Sequence, residues 1–161
     1  MMISKKMTDK LNEQVKHEFF AQWTYLAMAY SFETMNLKGF AKWFFAQAEE
    51  EKGHAMKIAQ YLLDQGAEVK LTALDAPKTD YSSAEEIVAG AVEHEIKVTR
   101  MINDLVDLAK SENDHATGAF LQWFVNEQVE EVASTTELLE MVKMAAEPGQ
   151  LLMLESRLSR E

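Results

Sequence analysis

The chain has 161 residues, 47% hydrophobic and 27% charged, the make-up of one globular domain spanning residues 1–161 with a sizeable core. Its formal net charge of −11 argues against a nucleic-acid partner, which calls for a basic face, and suits attraction of cations. Without cysteine it has no disulfide, thiolate zinc site or cysteine-held iron–sulfur cluster; no run of about 18 apolar residues offers a membrane span, and residues 1–12 lack the apolar core of a signal peptide, so the expected location is cytoplasmic.

Only two prolines and six glycines punctuate the chain, and helical periodicity dominates. The spacing predicts a first helix over about residues 4–34, with a seam of Met7, Leu11, Val15, Glu18, Gln22, Tyr25, Ala29 and Phe32. A turn near Asn36 to Gly39 leads into a second helix, about 40–65, whose seam is Phe40, Phe44, Gln47, Glu51, His54, Ile58 and Leu62 and whose stop is Gly66. Residues 66–80 read as a loop containing Pro77. Ser82 or Ser83 caps a third helix, about 83–111, with Glu85 and Glu86 favouring its dipole and a seam of Val88, Ala91, Glu95, Val98, Ile102, Leu105 and Ala109. Asn113 or Asp114 caps a fourth, about 114–146, with Leu121, Phe124, Gln128, Glu131, Thr135, Leu138 and Val142. Pro148-Gly149 interrupts the chain, and a short amphipathic fifth helix covers about 150–159.

Each seam is apolar at its ends and polar at its centre, and the polar centres repeat. A shift of 77 positions carries Glu18 onto Glu95, Glu51 onto Gln128 and His54 onto Glu131, while Val15-Lys16-His17-Glu18-Phe19 echoes Val92-Glu93-His94-Glu95-Ile96. Helices of some 27 residues are about 40 Å long, and an extended loop of about 15 residues reaches roughly 50 Å. The loop after Gly66 can therefore run the length of the bundle and set the second and third helices parallel. The expected fold is all-α: a four-helix bundle of two hairpins related by a pseudo-twofold axis, with a long crossover and a short fifth helix.

Stacked seams bring the central acids to one level, where burial is costly unless something neutralises them. Lys16, Lys52 and Lys97 lie off the seams, which leaves a metal cluster as the simplest neutraliser. Glu51-x-x-His54 places both side chains on one face, Glu18 and Glu95 add a carboxylate each, and the fourth helix offers Glu127-x-x-Glu130 or Gln128-x-x-Glu131. Carboxylates with one imidazole suit iron or manganese better than a soft metal. The fourth helix has no histidine at this level, so two sites of unequal strength are expected.

At these residues the chain resembles the ferritins, most of all the bacterial non-haem type, over essentially its whole length. The shared pieces are Leu11-Asn12-Glu13-Gln14 leading to Glu18, Ala48-Glu49-Glu50-Glu51 leading to His54, His94-Glu95, and Phe120-Leu121-Gln122-Trp123 running into Asn126-Glu127-Gln128. In helical bundles of this kind one Glu from each of two helices joins Glu-x-x-His motifs from the others. The resemblance implies Glu18, Glu51 and His54 around one iron, and Glu51, Glu95 and Gln128 around a second, with Glu51 bridging and Tyr25 beside the centre. It implies Glu50, Glu127, Glu130 and Glu131 at a third iron site.

The implied activity is oxidation of Fe(II) by O2, with H2O2 as the other candidate oxidant, at a transient di-iron ferroxidase centre. Fe(III) oxyhydroxide would be stored in a hollow homo-oligomeric shell of 24 subunits. Off-seam Phe19, Phe20, Trp23, Trp43 and Phe45 are expected at subunit contacts. Bacterioferritins carry a haem-ligating Met where this chain has Lys52, so no haem is expected. Gly118 and Leu121 stand where many ferritins line a channel with acids, which leaves the iron route unassigned. Two other functions remain: a stand-alone di-metal oxidase or peroxidase without mineral storage, and a passive metal buffer.

Overall fold

The computed structural model describes residues 2–161. Five helices and no strand occur among the described residues: α1 (Lys5–Thr34), α2 (Lys38–Asp64), α3 (Ala84–Ser111), α4 (His115–Met144) and α5 (Pro148–Arg160).

Local chemistry sets the helix ends. The hydroxyls of Ser4 and Ser83 accept from Met7 N and Glu86 N, and the Asp114 carboxylate accepts from Thr117 N. Ser82 is not the cap of α3; its backbone N–H and hydroxyl both donate to the Glu86 carboxylate. Three helices close through a residue with positive φ: Asn36 (61°), Gly66 (74°) and Asn113 (55°). The N–H groups that follow these residues, on Leu37, Ala67 and Asp114, reach back to the carbonyls of Phe32, Leu62 and Ala109. Pro148 does not break α5 but opens it, because a first-turn position has no intrahelical use for the missing N–H.

The α2 N-terminus has no side-chain cap of its own. The Glu155 carboxylate of α5 takes that place, accepting from Gly39 N and, at 2.9 Å, from Phe40 N. An acid there also complements the helix dipole. Gly39 permits the approach: a Cβ on it would lie 2.6 Å from Ser159 Oγ and 2.7 Å from Ser159 N.

The apolar core falls into two clusters. One gathers Tyr25, Phe32, Phe40, Phe44, Ile87, Leu138 and Val142, and Leu154 and Leu158 of α5 join it. The other gathers Met7, Leu11, Val15, Ile58, Leu62, Ile102, Leu105, Leu121 and Phe124. Membership gives the directions. α2 and α3 both run from the first cluster to the second, and α1 and α4 run the opposite way. The crossover leaves the second cluster at Ala67 and Val69 and arrives at the first with Tyr81 and Ala84. Asn12 holds its start, donating to Glu68 O and accepting from Lys70 N. The long loop is thus the connection that makes α2 and α3 parallel.

Among the off-seam aromatics, Phe19 packs on the second cluster and Trp43 and Phe45 on the first, so much of their surface is core. Trp23 stays 50% exposed.

Candidate metal centre

Between the two apolar clusters lies a polar layer. Glu18 from α1, Glu51 and His54 from α2, Glu95 from α3, and Gln128 and Glu131 from α4 are each no more than 5% exposed. The heptad-like seams put one or two such groups per helix at this height, and antiparallel hairpins bring all four seams inward. His54 Nδ1 sits 3.1 Å from Glu51 Oε2 and 3.8 Å from Glu18 Oε2. His54 Nε2 is 3.8 Å from Glu127 Oε1. Tyr25 Oη donates to Glu95 Oε1 at 2.6 Å, and Gln128 Nε2 donates to Glu95 Oε2 at 3.1 Å.

Three sets of ligand atoms converge, each within 4.8 Å: Glu18, Glu51 and His54; Glu51, Glu95 and Glu131; and His54, Glu127 and Glu131. Glu51 belongs to the first two sets, the placement a bridging carboxylate needs. Glu18 Oε2, Glu51 Oε1 and Glu131 Oε2 are buried without a hydrogen-bond partner. Buried acceptors are normally satisfied, and three orphaned carboxylate oxygens at one level mark a place made for a cation.

Protons do part of that cation's work. Burial would push His54 down, but the Glu18 and Glu51 carboxylates raise it to about 11, so the ring is an imidazolium at neutral pH. It is the basic partner that the lysines could not supply. Burial, with Glu18 and Glu95 close by, holds the Glu51 carboxyl well above the usual range. Burial acts in the same direction on Glu18, yet the adjacent His54 ring and Glu51 carboxyl, with the hydrogen bond from Gln14, outweigh it and leave this carboxyl below its ordinary value. Burial, then Glu95 and Glu50, raises Glu131 to about 9. Burial and the surrounding acids likewise raise Tyr25, which stays a phenol and a donor.

The remaining expected site residues are placed less centrally. Glu127 is half-buried and faces His54, Glu50 is exposed but close enough to bond Glu131, and Glu130 is exposed and joins none of the three sets. On α4 the inward pair is therefore Gln128 and Glu131. Gln128 turns its amide N–H to Glu95, and Glu131 completes the carboxylate set with Glu51 and Glu95. Two supporting residues escape a search for ligands alone. Gln14 Nε2 donates to Glu18 Oε1 at 2.9 Å, and Thr99 Oγ1 accepts from Gln128 Nε2 at 3.1 Å while donating to Glu95 O. Their signal is the four-residue spacing from Glu18 and from Glu95.

A helical bundle whose polar waist is built from carboxylates and one imidazole defines a class, that of carboxylate-rich metal-binding bundles. Residues 8–145 match the family described as Ferritin-like domain. The bacterial non-heme ferritin of Staphylococcus aureus strain MRSA252 is 42% identical over 132 residues, 82% of this chain and 80% of that protein. That of Staphylococcus saprophyticus is 43% identical over 132 residues, 82% of this chain and 79% of that protein. An open pore ferritin of the hyperthermophilic archaeon Archaeoglobus fulgidus superposes with a TM-score of 0.97 at 40% identity, covering 99% of this chain and 98% of its own. The chain belongs to the ferritin family.

Proposed function

We propose that the protein stores iron and oxidises it first, using the layer between α1, α2, α3 and α4 as a ferroxidase centre. The observation that carries this reading is the pair of ligand sets sharing Glu51, with orphaned carboxylate oxygens in both. Ferrous iron is the substrate. Glu18, Glu51 and His54 hold one ion, and Glu51, Glu95, Gln128 and Glu131 hold the other. The first set carries nitrogen and the second only oxygen, so the second ion is the more weakly held. Gln128 ligates through its carbonyl oxygen while its N–H keeps Glu95 in place.

Two adjacent ferrous ions can deliver two electrons to one O2 together, which avoids a one-electron step to superoxide. In sum, two Fe2+, one O2 and four waters give two FeOOH, one H2O2 and four H+. The side chains contribute position and charge: carboxylates offset the growing charge of the ferric ions, and the ions replace the protons on His54 and Glu51. Glu127 and Glu131, with His54, form the third set and receive iron leaving the pair; Glu50 lies beside it. Residues 1–161 act as one domain and as the subunit of a hollow 24-subunit shell. Among the described residues no helix is long and apolar enough to cross a membrane, and we place the shell in the cytoplasm.

The test is aerobic addition of Fe(II) to metal-free protein, following ferric absorbance and O2 uptake together. A fast phase saturating at about two irons per subunit, then slower uptake of far more iron in soluble form, is expected. His54→Ala should lose the fast phase while gel filtration shows an unchanged assembly. Equal initial rates in the variant and the wild type would remove this centre from the mechanism.

A further inference from the structure

Glu18 and Glu95 are equivalent in the internal repeat but are held by different means. Glu95 receives Tyr25 Oη from α1 and Gln128 Nε2 from α4. Glu18 receives Gln14 Nε2, 2.9 Å from Oε1, from one turn earlier in its own helix. The repeat sets Ala91 at the position of Gln14, so α3 has no such donor. Gln14 is only 2% exposed, although it lies in the wall of an open groove of about 460 Å3 between α1 and α3, lined also by Lys10, Glu13, His17 and Leu105. Its N–H is spent inward on Glu18, where an amide beside this groove could have faced water. The consequence is geometric. With Oε1 held, the other oxygen, Oε2, is the one left without a hydrogen-bond partner, and Glu18 shares a ligand set with Glu51 and His54.

We propose that Gln14 is a positioning residue of the centre. It anchors Oε1 of Glu18 so that Oε2 is presented, pre-aimed, to the metal position shared with Glu51 and His54. The proposal rests on the reading of that set as a metal site. A glutamate whose carboxylate is unanchored must be ordered by the metal itself, so affinity falls; loss of such an outer hydrogen bond typically weakens metal binding by about 10- to 100-fold. The Glu51–Glu95–Glu131 set does not touch Gln14 and keeps its affinity.

The variant to make is Gln14→Met, which keeps the length of the side chain and removes the donor. Alanine would widen the groove toward Glu18 and admit water as a substitute donor. The probe is Co(II), titrated anaerobically into metal-free protein, with stopped-flow Fe(II) oxidation alongside. Binding of the first Co(II) should weaken by about 10- to 100-fold, and KM for Fe(II) should rise by a similar factor while kcat changes by less than about two-fold. In a Glu18→Ala background the same substitution should do nothing further, because Gln14 acts only through Glu18. If Gln14→Met does not assemble, Gln14→Asn removes the same bond by shortening the arm. Wild-type Co(II) affinity in these variants, or an equal loss with and without Glu18, would overturn the proposal. Unchanged Co(II) binding in Glu18→Ala alone would instead overturn the metal-site reading beneath it.

Discussion

Replacing Glu131 by glutamine should stabilise the metal-free protein, by an amount that grows with pH. Glu131 is 3% exposed and one of its oxygens has no partner. Burial and the acids Glu95 and Glu50 raise its carboxyl from 4.5 to about 9. The folded protein therefore keeps a proton that the unfolded chain gives up. The cost is absent below the unfolded value, grows as pH rises above it, and levels off only when the folded carboxyl ionises near 9. At pH 7 the interval is about 2.5 pH units, which at 1.36 kcal/mol per unit makes roughly 3 kcal/mol. Glu131 lies beside other buried acids and does not titrate in isolation, so this is the ceiling for a single residue. Glutamine preserves the shape and does not titrate. The assay is guanidinium unfolding of chelator-treated protein at pH 5 and pH 8, at one fixed protein concentration because assembly makes the midpoint concentration-dependent. The variant should be clearly more resistant at pH 8 and nearly matched to wild type at pH 5. An equal gain at both pH values, or a loss at pH 8, would refute the burial argument. The same linkage predicts that metal affinity falls on acidification, since each ion competes with these protons.

Tyr25→Phe removes the donor to Glu95 Oε1 and leaves a buried carboxylate oxygen unpaired, which should cost about 1–3 kcal/mol in the metal-free protein. Bound Co(II) should shrink that loss by drawing on Glu95 itself, and an equal loss with and without Co(II) would contradict the placement. Gly39→Ala drives a methyl into the backbone of α5, an overpacking worth about 1–3 kcal/mol. It should free α5 from the α2 N-terminus, and trypsin should then cut faster at Arg157; wild-type cleavage rates would show that α5 is not held there.

The bundle was readable because its signal is periodic. Seam residues such as Leu11, Phe44, Ile102 and Leu121 recur at steps of three and four, and all of them are buried. The length of the crossover announced the parallel pair. The sequence also singled out the buried acids, because Glu18, Glu51, Glu95 and Glu131 interrupt apolar seams at matching places. What escaped was local or long-range in character. Pro148 looks like a break and is a helix start, since the same missing N–H serves either purpose. Glu155 capping α2 joins residues 115 and 116 positions apart, a pairing that no window of sequence contains.

Within the site the division is similar. Sequence alone determined which helices carry ligand-type side chains and that they stand at one height, because side-chain direction follows from helical period. It put Gln128 and Glu131 on the seam of the fourth helix but left Glu127-x-x-Glu130, offset by one residue and acidic at both ends, open as the ligand pair. Tertiary packing decided between them: the rotation of α4 against α3 puts Gln128 on Glu95 and Glu131 beside Glu51, and turns Glu130 to solvent. It also decided the state of the protons. Whether an acid is charged depends on the atoms around it, and only the assembled layer puts an imidazole between Glu18 and Glu51 and leaves Glu131 among like charges.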